Sequence, residues 1–244
     1  MSPKQKGLVW VLAISAAAAS FAYGLPFAVA HMPWSWETRL ADGLKFASHY
    51  PVCSDGAAGD AALRKLWTRI FPLDDTDQGV PARVRVVRSM EVNAFATLGG
   101  EIYVNDGLLL AAESPDEVAG VVAHEIEHVK RRHVMDGIFF RLLPLLLGHE
   151  GIGRLAEMFG QLKFSRLQEA EADLGGFERL RRAHVSLAGI RGFFERLAKA
   201  SLVPAILSDH PGELDRARSA GEDQGPTVAA LGLAEWEALK KICR

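Results

Sequence analysis

Two histidines four residues apart with a glutamate directly after the first, His124-Glu125-Ile126-Glu127-His128, constrain this chain more than any other feature. The motif lies in a stretch that reads as a helix, and helical residues four apart share one face. His124 and His128 can therefore offer their imidazoles to one metal ion, with the Glu125 carboxylate beside them as a base toward water. Two imidazoles, a neighbouring carboxylate and an open coordination position are the layout of a zinc hydrolase. The plainer alternative is a helix that carries two surface histidines.

The flanking residues predict the helix boundaries. Ser114 stands before Pro115, Asp116 and Glu117, which places a hydroxyl at the N-cap, proline in the first turn and glutamate three residues on. Val118, Val121, Val122, Ile126 and Val129 recur at the spacing of a buried helical stripe. Lys130, Arg131 and Arg132 fall near the far end, where cations suit the helix dipole. This run, like Arg179, Arg181 and Arg182, reads as a solvated helix end.

A third ligand is available in the segment from Phe164 to Asp173, whose good helix formers are followed by Gly175 and Gly176. Glu169 and Asp173 share a face, whereas Glu171 projects elsewhere. Glu169 is the candidate third metal ligand. Asp173 has two open roles: it orients a ligating histidine through the second ring nitrogen, or it donates a proton. On charge pattern alone the same residues also read as a solvated helix face.

The pairing of this motif with Ser165-Arg166-x-x-Glu169-x-Glu171-Ala172-Asp173 resembles the membrane- and envelope-associated gluzincin peptidases. That is the family of the CAAX prenyl protease, HtpX and the periplasmic BepA and LoiP proteases. The run from Asn93 to Val104 with Gly107-Leu108-Leu109 is similar to the family's segment upstream of the metal helix. Asp209-His210-Pro211 with Arg216 resembles its downstream element. The likeness extends from about Val84 to Arg216, with its pieces in the family's order. Thr97-Leu98 departs from it where many members carry a proline, which touches a turn and not the chemistry.

The resemblance implies a zinc endopeptidase in which His124, His128 and Glu169 bind one zinc ion and Glu125 is the general base. It also places His210 near the metal, as a catalytic group at the tetrahedral intermediate or as a plug on the open position. Arg216 then pairs with carboxylates of the ligand helix or supports the oxyanion. The implied substrates are unfolded or misassembled cell-envelope proteins, a quality-control role. The rival is a zinc-stabilised periplasmic chaperone or adaptor with blocked proteolysis, which a damaged HExxH would have favoured. Prenyl-protein processing is disfavoured because the sequence lacks several full membrane spans.

Composition and charge agree with an enzyme. The 244 residues are 49% hydrophobic, enough for one good core, and the net charge of −2 with no basic stripe gives no sign of a nucleic-acid partner. Lys4 and Lys6 precede an uncharged run from Gly7 to Ala30, so residues 1–30 read as a cleaved signal peptide or a membrane anchor. Either reading puts the remaining 31–244 metallopeptidase domain outside the cytoplasmic membrane, in the periplasm or at the inner-membrane surface. The two cysteines, Cys53 and Cys243, are open to one bridge or to two free thiols.

The expected class is α+β: a mainly helical, zincin-type metallopeptidase with a small three-stranded sheet before the HExxH helix. Residues 31–56 read as an irregular lead-in and 57–71 as an amphipathic helix ending at Pro72. Strands are expected at Arg83–Arg88, Asn93–Thr97 and Glu101–Val104, the last two joined by a turn at Gly99-Gly100. Shorter helices follow at about 186–200 and 232–242. A peptide adding to an exposed sheet edge would lie along Ala94, Phe95 or the Gly99–Val104 segment; for Phe95, core packing is the better reading. The apolar run Ile138–Leu147 contains Arg141 and Pro144 and reads first as a core helix, with a membrane-touching segment or a hydrophobic lid over the active site as the alternatives. His31, His49, His133, His149 and His184 show no ligand spacing.

Overall fold

The computed structural model describes residues 2–19, 24–43, 50–54, 57–73, 77–138, 164–199, 206 and 221–244. Three helices come first: α1 (Pro3–Ala19), α2 (Leu25–His31) and α3 (Trp34–Gly43). Helix α4 (Ala57–Ile70) precedes strands β1 (Arg83–Val87), β2 (Ala94–Ala96) and β3 (Glu101–Asn105), then the short helix α5 (Asp106–Ala111). The long helices α6 (Pro115–Lys130) and α7 (Arg166–Arg182) are followed by α8 (Leu187–Ala198) and α9 (Leu233–Leu239). The architecture is the α+β arrangement expected, mainly helical with one three-stranded sheet.

Strand β3 is central, parallel to β1 and antiparallel to β2, and buried along its whole length. Its Ile102 and Val104 pair with Ala96 and Ala94, small residues that leave room for α6 to pack on that face. On the other face Tyr103 stacks with Tyr50 and Phe95, at 4.7 and 5.6 Å between ring centroids. Phe95 is half-buried in this aromatic cluster rather than in the core. The turn at Gly99-Gly100 forms with both residues in the left-handed region (φ 77° and 84°). A Cβ on Gly100 would lie 2.7 Å from the Pro81 carbonyl oxygen, so only glycine fits.

The sheet corrects one expectation. Residues 101–104 have a strand on each side and offer no edge to a peptide. The outer side of β1 is partly taken by residues 51–53: Cys53 donates its N–H to Val86 at 2.9 Å and Arg88 donates to Pro51 at 3.0 Å. Among the described residues, the outer side of β2 pairs with no strand, but Ala94 and Ala96 are buried there and donate their N–H groups to Asn93 Oδ1 and Glu125 Oε2.

Two helical readings change as well. Part of the 31–56 lead-in is the regular helix α3, whose buried face carries a charged residue, Glu37, beside Ala41 and so hides its amphipathic pattern. Helix α7 does not stop at Gly175-Gly176 but runs through both. A Cβ on Gly175 would meet the Glu127 side chain at 2.3 Å, and one on Gly176 would sit 3.2 Å from the His124 backbone nitrogen. These glycines let α7 approach α6 closely. Of the apolar run 138–147, only Ile138 is described, and it is buried.

Cys53 and Cys243 form a disulfide with Cα atoms 4.9 Å apart, across 190 residues of sequence. It fastens the stretch beside β1 to the segment after α9, where Ile242 packs within 3.1 Å of a Cβ position at Gly59 on α4. A bridge closing so long a loop removes much denatured-state freedom, so its reduction is expected to cost about 2–4 kcal/mol of stability. Urea unfolding with and without reductant measures this, and coincident transitions would contradict it. No helix among the described residues is long and apolar enough to cross a membrane.

Candidate metal centre

Ser114 caps α6 as expected: its hydroxyl accepts the Glu117 N–H, and the Glu117 carboxylate reaches back to the Glu113 N–H at 2.9 Å. The helix that follows is buried over nearly its whole length. Helix α7 starts from a reciprocal cap between Ser165 and Gln168 and lies across α6. The close crossing at the two glycines brings Glu169 and Asp173 against the histidines of α6.

His124 Nε2 and His128 Nε2 lie 2.9 Å apart, and the Glu169 carboxylate oxygens stand 3.4 Å from the first and 3.6 Å from the second. The His, His and Glu ligand atoms all fall within 4.8 Å of one another, and all three residues are buried. The outer nitrogens explain why the inner ones face each other. Asp173 Oδ1 is 3.0 Å from His124 Nδ1, and His133 Nδ1 is 3.0 Å from His128 Nδ1. With hydrogens on both outer nitrogens, both Nε2 lone pairs and a carboxylate converge on one point. Such a cluster repels itself unless a cation sits between its members. The spacings also suit the roughly 3.3 Å edges of a tetrahedral site with metal–ligand bonds of about 2.0 Å. The donor set therefore fits zinc.

Glu125 sits beside this cluster, fully buried, and its Oε2 accepts the Ala96 N–H at 2.9 Å. The bond ties the carboxylate to the β2 backbone. Phe164 stacks on His128 with ring centroids 3.9 Å apart and closes that side. The structure thus brings together Glu125, His124, His128, Glu169 and Asp173. His210 and Arg216 lie outside the described residues.

Two participants escaped the sequence reading. His133 is buried against His128, and Glu171, on the other face of α7 from Glu169, reaches His133 Nε2 at 3.3 Å. In sequence His133 lies nine residues after His124 and not ten, a spacing that sets it aside, and on an unbroken helix residues 128 and 133 would point about 140° apart. The helix is broken: Arg132 adopts φ 58°, and the chain becomes helical again over 133–138. That left-handed residue swings His133 back toward the site. Burial pushes the His133 imidazole down to about 4, only partly opposed by the Glu171 carboxylate, so it is neutral near pH 7.

The basic runs at the helix ends are solvated only in part: Arg131 and Arg182 are exposed, whereas Arg132 and Arg179 are buried. Arg132 is buried, paired with Glu37 of α3 at 3.2 Å and lying 3.8 Å from the centre of the Trp34 ring. Arg179 grips Asp77 through both terminal nitrogens at 2.7 and 2.9 Å and reaches Glu127 at 2.8 Å. Lys130 adds a third cationic contact, to Asp77 at 3.0 Å. Burial pushes the Asp77 carboxyl up, but the bonds from Arg179, the Leu73 N–H and Lys130 outweigh it and hold it well below the usual carboxylate range. This network joins α6 to α7 through Glu127, which lies between the two histidines in the chain, a pairing that sequence spacing gives no means to find.

A histidine helix crossed by a carboxylate helix beside a small sheet defines a zincin-type metallopeptidase. The chain belongs to peptidase family M48, whose model matches residues 73–223. It is similar to the metalloprotease LoiP of Escherichia coli K12, 32% identical over 177 residues covering 66% of this chain and 70% of that one. A putative beta-barrel assembly-enhancing protease of Vibrio cholerae is 32% identical over 57% of this chain and 34% of its own length. The mitochondrial metalloendopeptidase OMA1 of Arabidopsis thaliana is 34% identical over 58% and 31%, respectively. The chain therefore spans about a third of the length of the latter two relatives.

Proposed function

We propose that this chain is a zinc-dependent endopeptidase that hydrolyses peptide bonds in unfolded or misassembled cell-envelope proteins. The observation that carries the reading is the convergence of His124, His128 and Glu169, with the Glu125 carboxylate bonded to the β2 backbone beside them. Zinc held by these three residues supplies a Lewis acid that acidifies water and polarises the scissile carbonyl. Glu125 takes the proton from water and returns it to the leaving amine. Asp173 holds the His124 ring through Nδ1, so of its two open roles the geometry favours positioning over proton donation. His210 keeps the role near the reacting carbonyl that the resemblance implies.

The substrate strand runs along the side of β2 away from β3, where Ala94 and Ala96 carry small side chains. Their N–H groups pass from Asn93 Oδ1 and Glu125 Oε2 to the substrate backbone. Recognition through backbone selects extended, unfolded chain with little sequence preference. The names of the relatives that enhance beta-barrel assembly support an envelope substrate. The disulfide supports an oxidising compartment outside the cytoplasm, with residues 1–30 as leader or anchor and 31–244 as the peptidase domain. The full chain is expected to cleave unfolded casein and leave a stably folded protein intact, and to lose cleavage to a zinc chelator until zinc is restored. Equal cleavage of folded and unfolded substrates, or chelator-resistant cleavage, would contradict the proposal.

A further inference from the structure

The two metal-facing histidines are held from behind in different ways. His124 is backed directly by a carboxylate, Asp173, whereas His128 is backed by a second imidazole. Only one hydrogen fits between His128 Nδ1 and His133 Nδ1, which are 3.0 Å apart. For the His128 Nε2 lone pair to face the centre, that hydrogen must sit on His128 Nδ1. His133 Nδ1 then accepts it, and the remaining hydrogen of His133 lies on Nε2, where the Glu171 carboxylate stands at 3.3 Å. Each link fixes the tautomer of the next, from a half-exposed carboxylate on α7 to the buried ligand on α6.

We propose that His133 is a positioning residue of the metal centre, locking His128 in the Nδ1–H tautomer through a relay anchored on Glu171. The inference rests on the zinc-centre reading above. It gives the left-handed Arg132 a purpose, since without that break His133 would face away from His128. It also gives Glu171 a task distinct from that of Glu169 and Asp173 on the opposite face of the same helix.

The test compares full-length wild type with His133→Leu, His133→Asn and Glu171→Ala. Zinc affinity is read by competition with a chromophoric chelator, and ligand geometry from the visible spectrum of the cobalt-substituted proteins. His133→Leu leaves the His128 Nδ1–H without its acceptor and is expected to weaken zinc binding by about 10–100-fold. Asparagine places its Oδ1 where the imidazole Nδ1 stood, so His133→Asn is expected to recover affinity to within about threefold of wild type, with a wild-type cobalt spectrum. Glu171→Ala, at the exposed end, is expected to weaken binding by a few-fold. Wild-type affinity in His133→Leu overturns the proposal, as does an asparagine variant no better than leucine when both fold to the same apo-protein Tm. If His133→Leu fails to fold, unchanged affinity in Glu171→Ala overturns it instead. Absence of zinc binding by wild type would remove the metal-centre reading itself, a result distinct from wild-type binding that the variants leave untouched.

Discussion

Glu125→Gln is expected to lower casein cleavage by about 10²–10⁴-fold while the protein keeps its full zinc content and its fold. Glutamine has the same shape and retains a carbonyl oxygen to accept the Ala96 N–H that Glu125 Oε2 now takes at 2.9 Å. It cannot take a proton from water. The substitution therefore removes the base without disturbing the tie to β2 or the donors of His124, His128 and Glu169. A large loss of kcat with KM little changed would mark an interaction made in the transition state. Zinc loss on substitution would instead assign Glu125 a structural part in the centre, and cleavage near the wild-type rate would place the base elsewhere.

Arg179→Met is expected to cost about 3–5 kcal/mol of stability, because it takes the shared buried cation from two buried carboxylates. Asp77 is left to Lys130 and the Leu73 N–H, and Glu127 to the more exposed Arg131. Asp77 and Glu127 both bond the guanidinium, and all three groups are buried. Methionine fills comparable space but supplies neither charge nor donors. The effect has a pH signature. The folded-state pKa of Asp77 lies below its unfolded value, so its stabilisation is complete above the unfolded pKa of about 3.9 and is lost as pH falls toward the folded value. The gap in denaturant midpoint between wild type and Arg179→Met should therefore be widest near neutral pH and shrink once the pH drops below about 4. A gap that stays constant into acid would show that Asp77 does not carry the effect, and a stable variant would show that the network is dispensable.

The features legible in the sequence were those written in local spacing. HExxH on a capped helix gives two donors from periodicity, while Glu169 with Asp173 on one face also reads as a solvated surface and takes its role from the family resemblance. The Gly99-Gly100 turn and the three strands follow from alternation and turn chemistry. What stayed hidden depends on where separate helices meet. Gly175-Gly176 looks like a helix end in sequence, yet in the fold it is the flat spot where α7 meets Glu127 and the His124 backbone. Arg132 and Arg179 look like solvent cations at helix ends until Glu37, Asp77 and Glu127 come to them across long stretches of chain. His133 has the wrong spacing for a continuous helix, and the left-handed residue that corrects it bears no glycine or asparagine to announce it. The central position of β3 likewise could not be read from strand patterns, because the parallel partner β1 arrives from an earlier part of the chain.

The most direct measurement is a crystallographic anomalous difference map of the zinc-loaded protein, recorded on either side of the zinc absorption edge. The account predicts one strong peak bounded by His124 Nε2, His128 Nε2 and a Glu169 carboxylate oxygen, at about 2.0–2.2 Å from each. A protein that takes up zinc elsewhere, or shows no edge-dependent peak between these three residues, would contradict it.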